Sequence, residues 1–385
     1  MKADICVITS THNPFDTRIF EKECYSITNA GYKIIFFAPI DETKLVDNNI
    51  LIIGTGFIQK RIHRLKNLAL SIDKIFKLNS RIIHVHEPEL LLLLPLIKLF
   101  KKDVKFIYDV HENYSDAVLS TEKHWIPERL KPVIAGIFDK TEKFLARKSD
   151  QVITASPDIE IRFPKCKTIS IKNYAPMHLI TKAHRLRSKS RSVKISKEIV
   201  YTGSLTRTRG ILEIVKSLEL LDKSLSVKFK VTGWFHDMNF KKEIEDQPAY
   251  ENLEFLGRLP RYEDMVSRIA DADIAMMCFH PDPNLDSAVE RSNKLYEYMG
   301  LGIPVIVSNI PQWAELIKRH NCGLSVNPLN PEDIADKISF LLTHPDELIQ
   351  MGINGRKAAL KYYNWDSEGM KLVNTYRSLL SDSNG

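Results

Sequence analysis

Ser292-Asn293-Lys294-Leu295-Tyr296-Glu297-Tyr298-Met299-Gly300-Leu301-Gly302-Ile303-Pro304-Val305-Ile306-Val307 reads as a short helix, a glycine-bounded turn and a buried β-branched strand. The helix opens with small and polar residues, so its first backbone N–H groups can meet a phosphate. Glu297 adds a carboxylate suited to sugar hydroxyls. A helix leading into a buried parallel strand places this chemistry at the edge of a doubly wound sheet.

Working outward, the same strand–helix alternation fills the chain. In the first half, strands are expected at Asp4–Thr9, Lys33–Ala38, Ile50–Ile53, Arg81–Val85, Lys105–Asp109, Gln151–Thr154 and Thr168–Ile171. Helices are expected at Thr17–Ala30, Arg61–Lys77, Glu89–Lys101, Glu128–Lys148 and Pro157–Phe163. A second series runs through Ile199–Thr202, Val227–Thr232, Leu253–Leu256, Asp273–Cys278, Pro304–Ser308 and Gly323–Val326. Between the two lies Thr181–Ser192, polar, basic and serine-rich, which reads as an exposed linker or surface loop. The pattern predicts an α/β chain of two doubly wound, Rossmann-like domains: 1–175, a basic linker 176–198, and 199–362.

The 385 residues suffice for two cores, and 44% apolar with 27% charged residues is ordinary for a globular protein. The first strand follows Met1 almost at once, which predicts no signal peptide, and the longest apolar run is too short to span a bilayer. Five scattered cysteines form no Cys-x-x-Cys pair; a reducing cytosol is expected, with neither a disulfide scaffold nor a zinc site. Of the net +7 charge, much is local: eleven Lys/Arg against four acids over Lys60–Lys105, and seven against none over Thr181–Lys197. Without interleaved aromatics or a nucleic-acid motif, this excludes nucleic acid and leaves an anionic membrane, a phosphorylated acceptor or solvated helix faces. The stripe of Ile62, Leu65, Leu68, Ile72, Ile75 and Phe76 in Arg61–Leu78 suits a sheet-covering helix better than an interfacial one.

Three loops in the second half carry candidate ligand chemistry. In Thr202-Gly203-Ser204-Leu205-Thr206-Arg207-Thr208-Arg209-Gly210, the glycines permit close approach, and Arg207 and Arg209 suit a diphosphate. Gly233 ends the next strand, and Leu256-Gly257 ends the one after. In the first half, His12-Asn13-Pro14-Phe15-Asp16-Thr17-Arg18 follows the first strand; Asp16 is either a ligand group or a helix cap. The clusters His84-Val85-His86-Glu87 and Asp109-Val110-His111-Glu112 end two others and admit either cleft chemistry or a metal.

Together these motifs resemble the group 1 (family 4) glycosyltransferases, which have the GT-B fold of two Rossmann-like domains facing a cleft. The resemblance covers nearly the whole chain. It implies a C-terminal helix, 363–385, returning toward the first domain. It also implies a nucleotide-sugar site made by Gly203, Ser204, Arg207, Arg209, Gly233, Leu256, Asn293, Lys294 and Glu297. His111 would lie beside the transferred sugar, with Asp16 and Arg18 holding acceptor or donor groups. Family members carry a second glutamate eight residues before the one matched by Glu297; Val289 stands there, and Glu290 is one residue out of register.

The expected activity is therefore transfer of a sugar from a UDP- or GDP-sugar to an acceptor hydroxyl, retaining and metal-independent, with no cofactor. The acceptor would be a glycan or lipid-linked, in bacterial-type surface polysaccharide assembly. The protein would be cytoplasmic, with association at the cytoplasmic face of an anionic membrane. Two alternatives stay open: a sugar-nucleotide epimerase on the same fold, and a non-catalytic sugar-nucleotide-binding subunit of a glycan assembly complex.

Overall fold

A computed structural model describes residues 3–46, 48–56, 72–119, 126–190, 196–259, 261–286 and 289–381, with backbone alone for 186–190, 283–284 and 291. The chain divides into two units, residues 1–173 with 365–385, and residues 174–364.

The first unit is built on eight strands: β1 (Ile5–Ile8), β2 (Ile34–Ala38), β3 (Lys44–Leu45), β4 (Ile50–Gly54), β5 (Ile82–Val85), β6 (Lys105–Val110), β7 (Gln151–Thr154) and β8 (Thr168–Ser170). They lie in the order β3-β4-β2-β1-β5-β6-β7-β8, parallel except for the short antiparallel β3. Alternate residues feed two separate cores: Cys6, Ile8, Ile35, Phe37, Ile83 and Val85 on one face, and Ile5, Val7, Ile34, Phe36 and Ile82 on the other. A sheet buried on both faces explains why these strands read as unbroken apolar runs. The chain steps outward from β1 to β2 and β4, then returns to the other side of β1 as β5. That reversal is a topological switch point, with a crevice beyond the strands' carboxyl ends.

The second unit has six parallel strands: β9 (Lys197–Leu205), β10 (Val227–Phe235), β11 (Leu253–Gly257), β12 (Ile274–Met277), β13 (Val305–Ser308) and β14 (Gly323–Val326). Their order is β11-β10-β9-β12-β13-β14, so the switch point falls between β9 and β12. Opposite the step Val231–Thr232 the partner strand passes from Phe255 to Gly257, leaving Leu256 as an extra, bulged residue.

Several elements depart from the sequence expectations. Much of the expected linker is instead the helix Met177–Ser190, whose Met177, Ile180 and Ala183 are buried in the second unit's core. This helix lies close against the helix Asn293–Leu301: a Cβ on Gly300 would come within 2.8 Å of Ile180 Cγ2 and 3.1 Å of Met177 Cε. The expected helix Thr17–Ala30 begins as a π-helix, Thr17–Cys24, before Tyr25–Asn29 continues as α-helix. Glu89–Lys101 becomes a 3-10 segment, Pro88–Leu93, followed by the helix Leu94–Phe100. Residues 57–71, with most of the expected Arg61–Lys77 helix, lie outside the described residues. The last helix, Trp365–Ser381, belongs to the first unit: Trp365 Nε1 donates to Ser26 Oγ at 2.8 Å, and Tyr376 Oη lies 2.5 Å from His84 Nδ1.

Candidate functional site

In the second unit, β9 and β12 end side by side, and their loops are tied by a bond from His280 N to Thr208 O at 2.8 Å. Gly203 lies two residues before the end of β9, at φ +116°, and Gly233 takes the matching position on β10 at φ +155°. A Cβ on Gly233 would fall 1.8 Å from Gly203 O, and one on Gly203 would fall 2.8 Å from Lys294 Nζ. Only glycine lets the two strands and the lysine approach this closely.

Around this point two cations gather on one aromatic ring. The Arg209 guanidinium lies 4.7 Å from the Phe279 centroid, and Lys294 Nζ lies 5.8 Å from it and 5.6 Å from Tyr201. Burial first, then the charge of Arg209, lowers the Lys294 pKa to about 7. Such a pair is poised for an anion that would relieve its repulsion.

The helix Asn293–Leu301 carries Lys294 on its first turn, and the Ser292 side chain makes no capping hydrogen bond there. It is anchored to β9 by Tyr298, whose Oη accepts from Thr202 N at 2.9 Å. Glu297 is buried and accepts from Tyr262 Oη at 3.0 Å. Val289, eight residues before Glu297, is buried, and its carbonyl accepts from Tyr296 Oη at 3.0 Å.

The structure brings together Gly203, Gly233, Arg209 and Lys294, with Glu297 on the same helix as Lys294. Arg207 is not gathered with them. It is exposed, its guanidinium pairs with Glu243 and lies 4.9 Å from the Phe240 ring. Ser204, half-buried, continues β9, and Leu256 sits in the bulge of the edge strand.

The first unit holds a second polar centre at the carboxyl ends of β1, β5 and β6. Asp16 caps the Thr17–Cys24 turn, accepting from Arg18 N at 2.9 Å and Ile19 N at 3.1 Å. That wide turn buries Arg18, Ile19, Lys22 and Glu23 together. Arg18 Nη2 donates to both oxygens of Asp109 at 3.0 Å, Nη1 donates to Ile171 O at 3.0 Å, and Nε lies 2.9 Å from Glu23 Oε1. His86 Nδ1 and His111 Nε2 are 3.0 Å apart, and His111 Nε2 lies 3.7 Å from Asp109. His12 lies 3.4 Å from Asp16 and 3.6 Å from Glu87.

The titration of this centre follows from its burial and its one guanidinium. Burial alone would raise Asp109, but the Arg18 guanidinium holds it well below the usual carboxylate range. Burial, then repulsion from Asp109, lifts Glu23 well above that range. Burial, assisted by Arg18 against the pull of Asp109, lowers His111 to about 3; burial and His84 lower His86. At neutral pH His86 and His111 are thus uncharged, and one N–H···N hydrogen bond joins His86 Nδ1 to His111 Nε2, leaving Nδ1 as the other ring nitrogen of His111. Sequence reasoning missed Glu23 and Tyr376; charged Arg18, Lys22 and Glu23 on the same helical face as Ile19 was the available signal for the first.

Among the described residues, Glu23, His84, His86 and Asp109 form a metal-capable group, with ligand atoms within 4.8 Å of one another. Arg18 touches both of its carboxylates, so a positive charge already stands against them.

Two parallel-sheet units, the second with clustered cations beyond its switch point, have the architecture of the GT-B glycosyltransferases. The model of the family described as glycosyl transferases group 1 matches residues 183–358, most of the second unit, so this stretch of the chain is similar to that group. An uncharacterised glycosyltransferase of Methanocaldococcus jannaschii is 24% identical over 47% of this chain and 45% of its own length. The spore coat protein SA of Bacillus subtilis is 23% identical over 59% of this chain and 64% of its own. The chain thus spans about half to two-thirds of these relatives. Among solved structures, sucrose-phosphate synthase from Thermosynechococcus elongatus superposes with TM-score 0.77 at 15% identity, covering 98% of this chain and 99% of that one. Anabaena HepE in complex with UDP-glucose gives 0.70 at 14% identity, covering 97% and 99%.

Proposed function

We propose that the protein transfers a sugar from a nucleotide diphosphate donor to an acceptor hydroxyl, with retention and without a metal ion. The observation that carries this reading is the pairing of Arg209 and Lys294 on Phe279 beside the Gly203–Gly233 contact. Two cations and a helix N-terminus in one place are suited to a diphosphate, and stabilise it further as it departs with growing charge. In the step itself the acceptor oxygen bonds to the anomeric carbon as the bond from that carbon to the diphosphate breaks. The hydroxyl proton passes to the leaving phosphate oxygen. Glu297 serves the ribose hydroxyls, with Gly203, Ser204, Gly233, Leu256 and Asn293 as the surrounding donor contacts. Arg207 contributes less, being committed to Glu243.

On the acceptor side we assign His111, with Asp16 and Arg18 holding its surroundings. A histidine kept neutral by burial acts by hydrogen bonding and not as a proton-donating imidazolium. The donor is a UDP- or GDP-sugar, and the acceptor is a glycan or lipid-linked hydroxyl in surface polysaccharide assembly at the cytoplasmic side of a membrane. No helix among the described residues is long and apolar enough to cross one. The buried Val289 favours one second reading, a subunit that binds the nucleotide sugar without turning it over.

Mass spectrometry against a panel of nucleotide sugars, with and without acceptors, separates these readings. Release of nucleoside diphosphate together with a glycosylated acceptor supports transfer. An isomerised donor formed without acceptor supports an epimerase, and binding without product supports the subunit.

A further inference from the structure

The first unit carries an outward apolar surface that its own core does not use. In the helix Lys131–Ala146, the buried side is Lys131, Ala135, Glu142 and Ala146. The opposite side exposes Val133, Ile134, Ile137 and Phe144, with Ile137 63% and Phe144 57% accessible. Leu130, just before the helix, extends the row, and the spacing 130-133/134-137-144 is a single helical stripe.

The neighbouring element repeats the pattern. The segment Pro88–Leu93 packs against this helix and continues into Leu94–Phe100. Leu92, Leu96, Leu99 and Phe100 are exposed, the last two at 63% and 68%. Scattered exposed leucines are ordinary, but here two elements, joined where Pro88–Leu93 packs on the helix, each present an apolar row to solvent.

Charge indicates what covers it. The exposed bases on and beside these elements are Lys102, Arg129, Lys140, Arg147 and Lys148, against the exposed acids Asp103 and Glu128, and Glu128 is paired with Lys131. Lys148 Nζ lies 4.9 Å over the Phe144 ring, an apolar anchor with a cation at its rim. We propose that this two-helix face is a docking surface for an anionic lipid bilayer, with the apolar rows inserted among acyl chains and the bases among headgroups. It deepens the reading of a membrane-side acceptor, and it adds an apolar face, part of it within the basic stretch Lys60–Lys105, to the charge read from the sequence. Attachment therefore has a component that salt does not screen, since only the headgroup attraction decays within a Debye length.

The test is co-sedimentation of the full chain, without any donor, with phosphatidylcholine vesicles and with vesicles containing about a third phosphatidylglycerol, at ~0.1 M and ~0.5 M salt. The wild type is expected to sediment with the anionic vesicles and to stay partly bound at high salt. Ile137→Asp with Phe144→Asp should lower the bound fraction about tenfold or more at both salts, with unchanged circular dichroism. Ile137→Ser with Phe144→Ser is the milder pair should the first not fold. Absence of sedimentation at low salt, or binding unaltered in both pairs, overturns the proposal. So does a dimer in solution, split by these substitutions, with no vesicle binding. Donor binding is measured separately, so failure here leaves the transferase reading standing, and the reverse also holds.

Discussion

Raising the pH from about 6 to about 8 is expected to weaken nucleotide-sugar binding about tenfold through Lys294 alone. Burial and the nearby Arg209 bring this lysine to about 7 in the free protein. It is then roughly nine-tenths charged at the lower pH and roughly one-tenth at the upper. Only the ammonium form attracts a diphosphate, so the apparent association constant falls in the same proportion, a loss of about 1.4 kcal/mol. The diphosphate of a nucleotide sugar is fully esterified and does not titrate in this range, so the profile reports the protein. Calorimetric titration of UDP-glucose across this range, in buffers of different ionisation enthalpy, should also show uptake of about half a proton near pH 7. Lys294→Met should flatten the profile, and Arg209→Ala should move its break upward by removing a neighbouring cation. A flat wild-type profile, or the same slope in Lys294→Met, refutes the assignment of Lys294 to the diphosphate.

Arg18→Met should destabilise the first unit by about 3–5 kcal/mol in urea unfolding, because it leaves Asp109 buried without its cation; a loss below about 1 kcal/mol would show that the network does not depend on the arginine. The His12–Asp16 pair should give a pH window. Asp16 is held below its usual 3.8, so its contribution is present above that value and lost as pH falls; His12 is raised from 6.5 to about 9 by Asp16 against the effect of burial, so its contribution is complete below 6.5 and lost as pH rises through about 9. The melting-temperature difference between wild type and His12→Gln should therefore be largest between those limits and shrink as pH rises from 6.5 to 9. His111→Ala should lower turnover far more than donor affinity; lost stability with normal turnover per folded molecule would make it a packing residue.

The strands were legible because a sheet buried on both faces requires unbroken β-branched and aromatic runs such as Ile34-Ile35-Phe36-Phe37. The helix Met177–Ser190 was not, because its contact with the second unit rests on sparse positions, Met177, Ile180 and Ala183, among Ser, Lys and Arg. Gly300, which admits that helix, looked like turn punctuation. In the second unit, the glycines and cations of the candidate site were legible because local spacing brings them to strand ends. The commitment of Arg207 to Glu243 was not, since that partner lies 36 residues on and is reached only through folding. The buried Arg18–Glu23–Asp109 centre joins residues up to 91 positions apart, and only the strand order places them together.

The most direct test of the donor site is calorimetry of UDP and GDP binding to Arg209→Ala. A charge-assisted contact to the diphosphate predicts affinity weakened by about 1–3 kcal/mol, roughly five- to 150-fold, with the fold intact. Unchanged affinity for both nucleotides would contradict the placement of the diphosphate beside Arg209, Lys294 and Gly203.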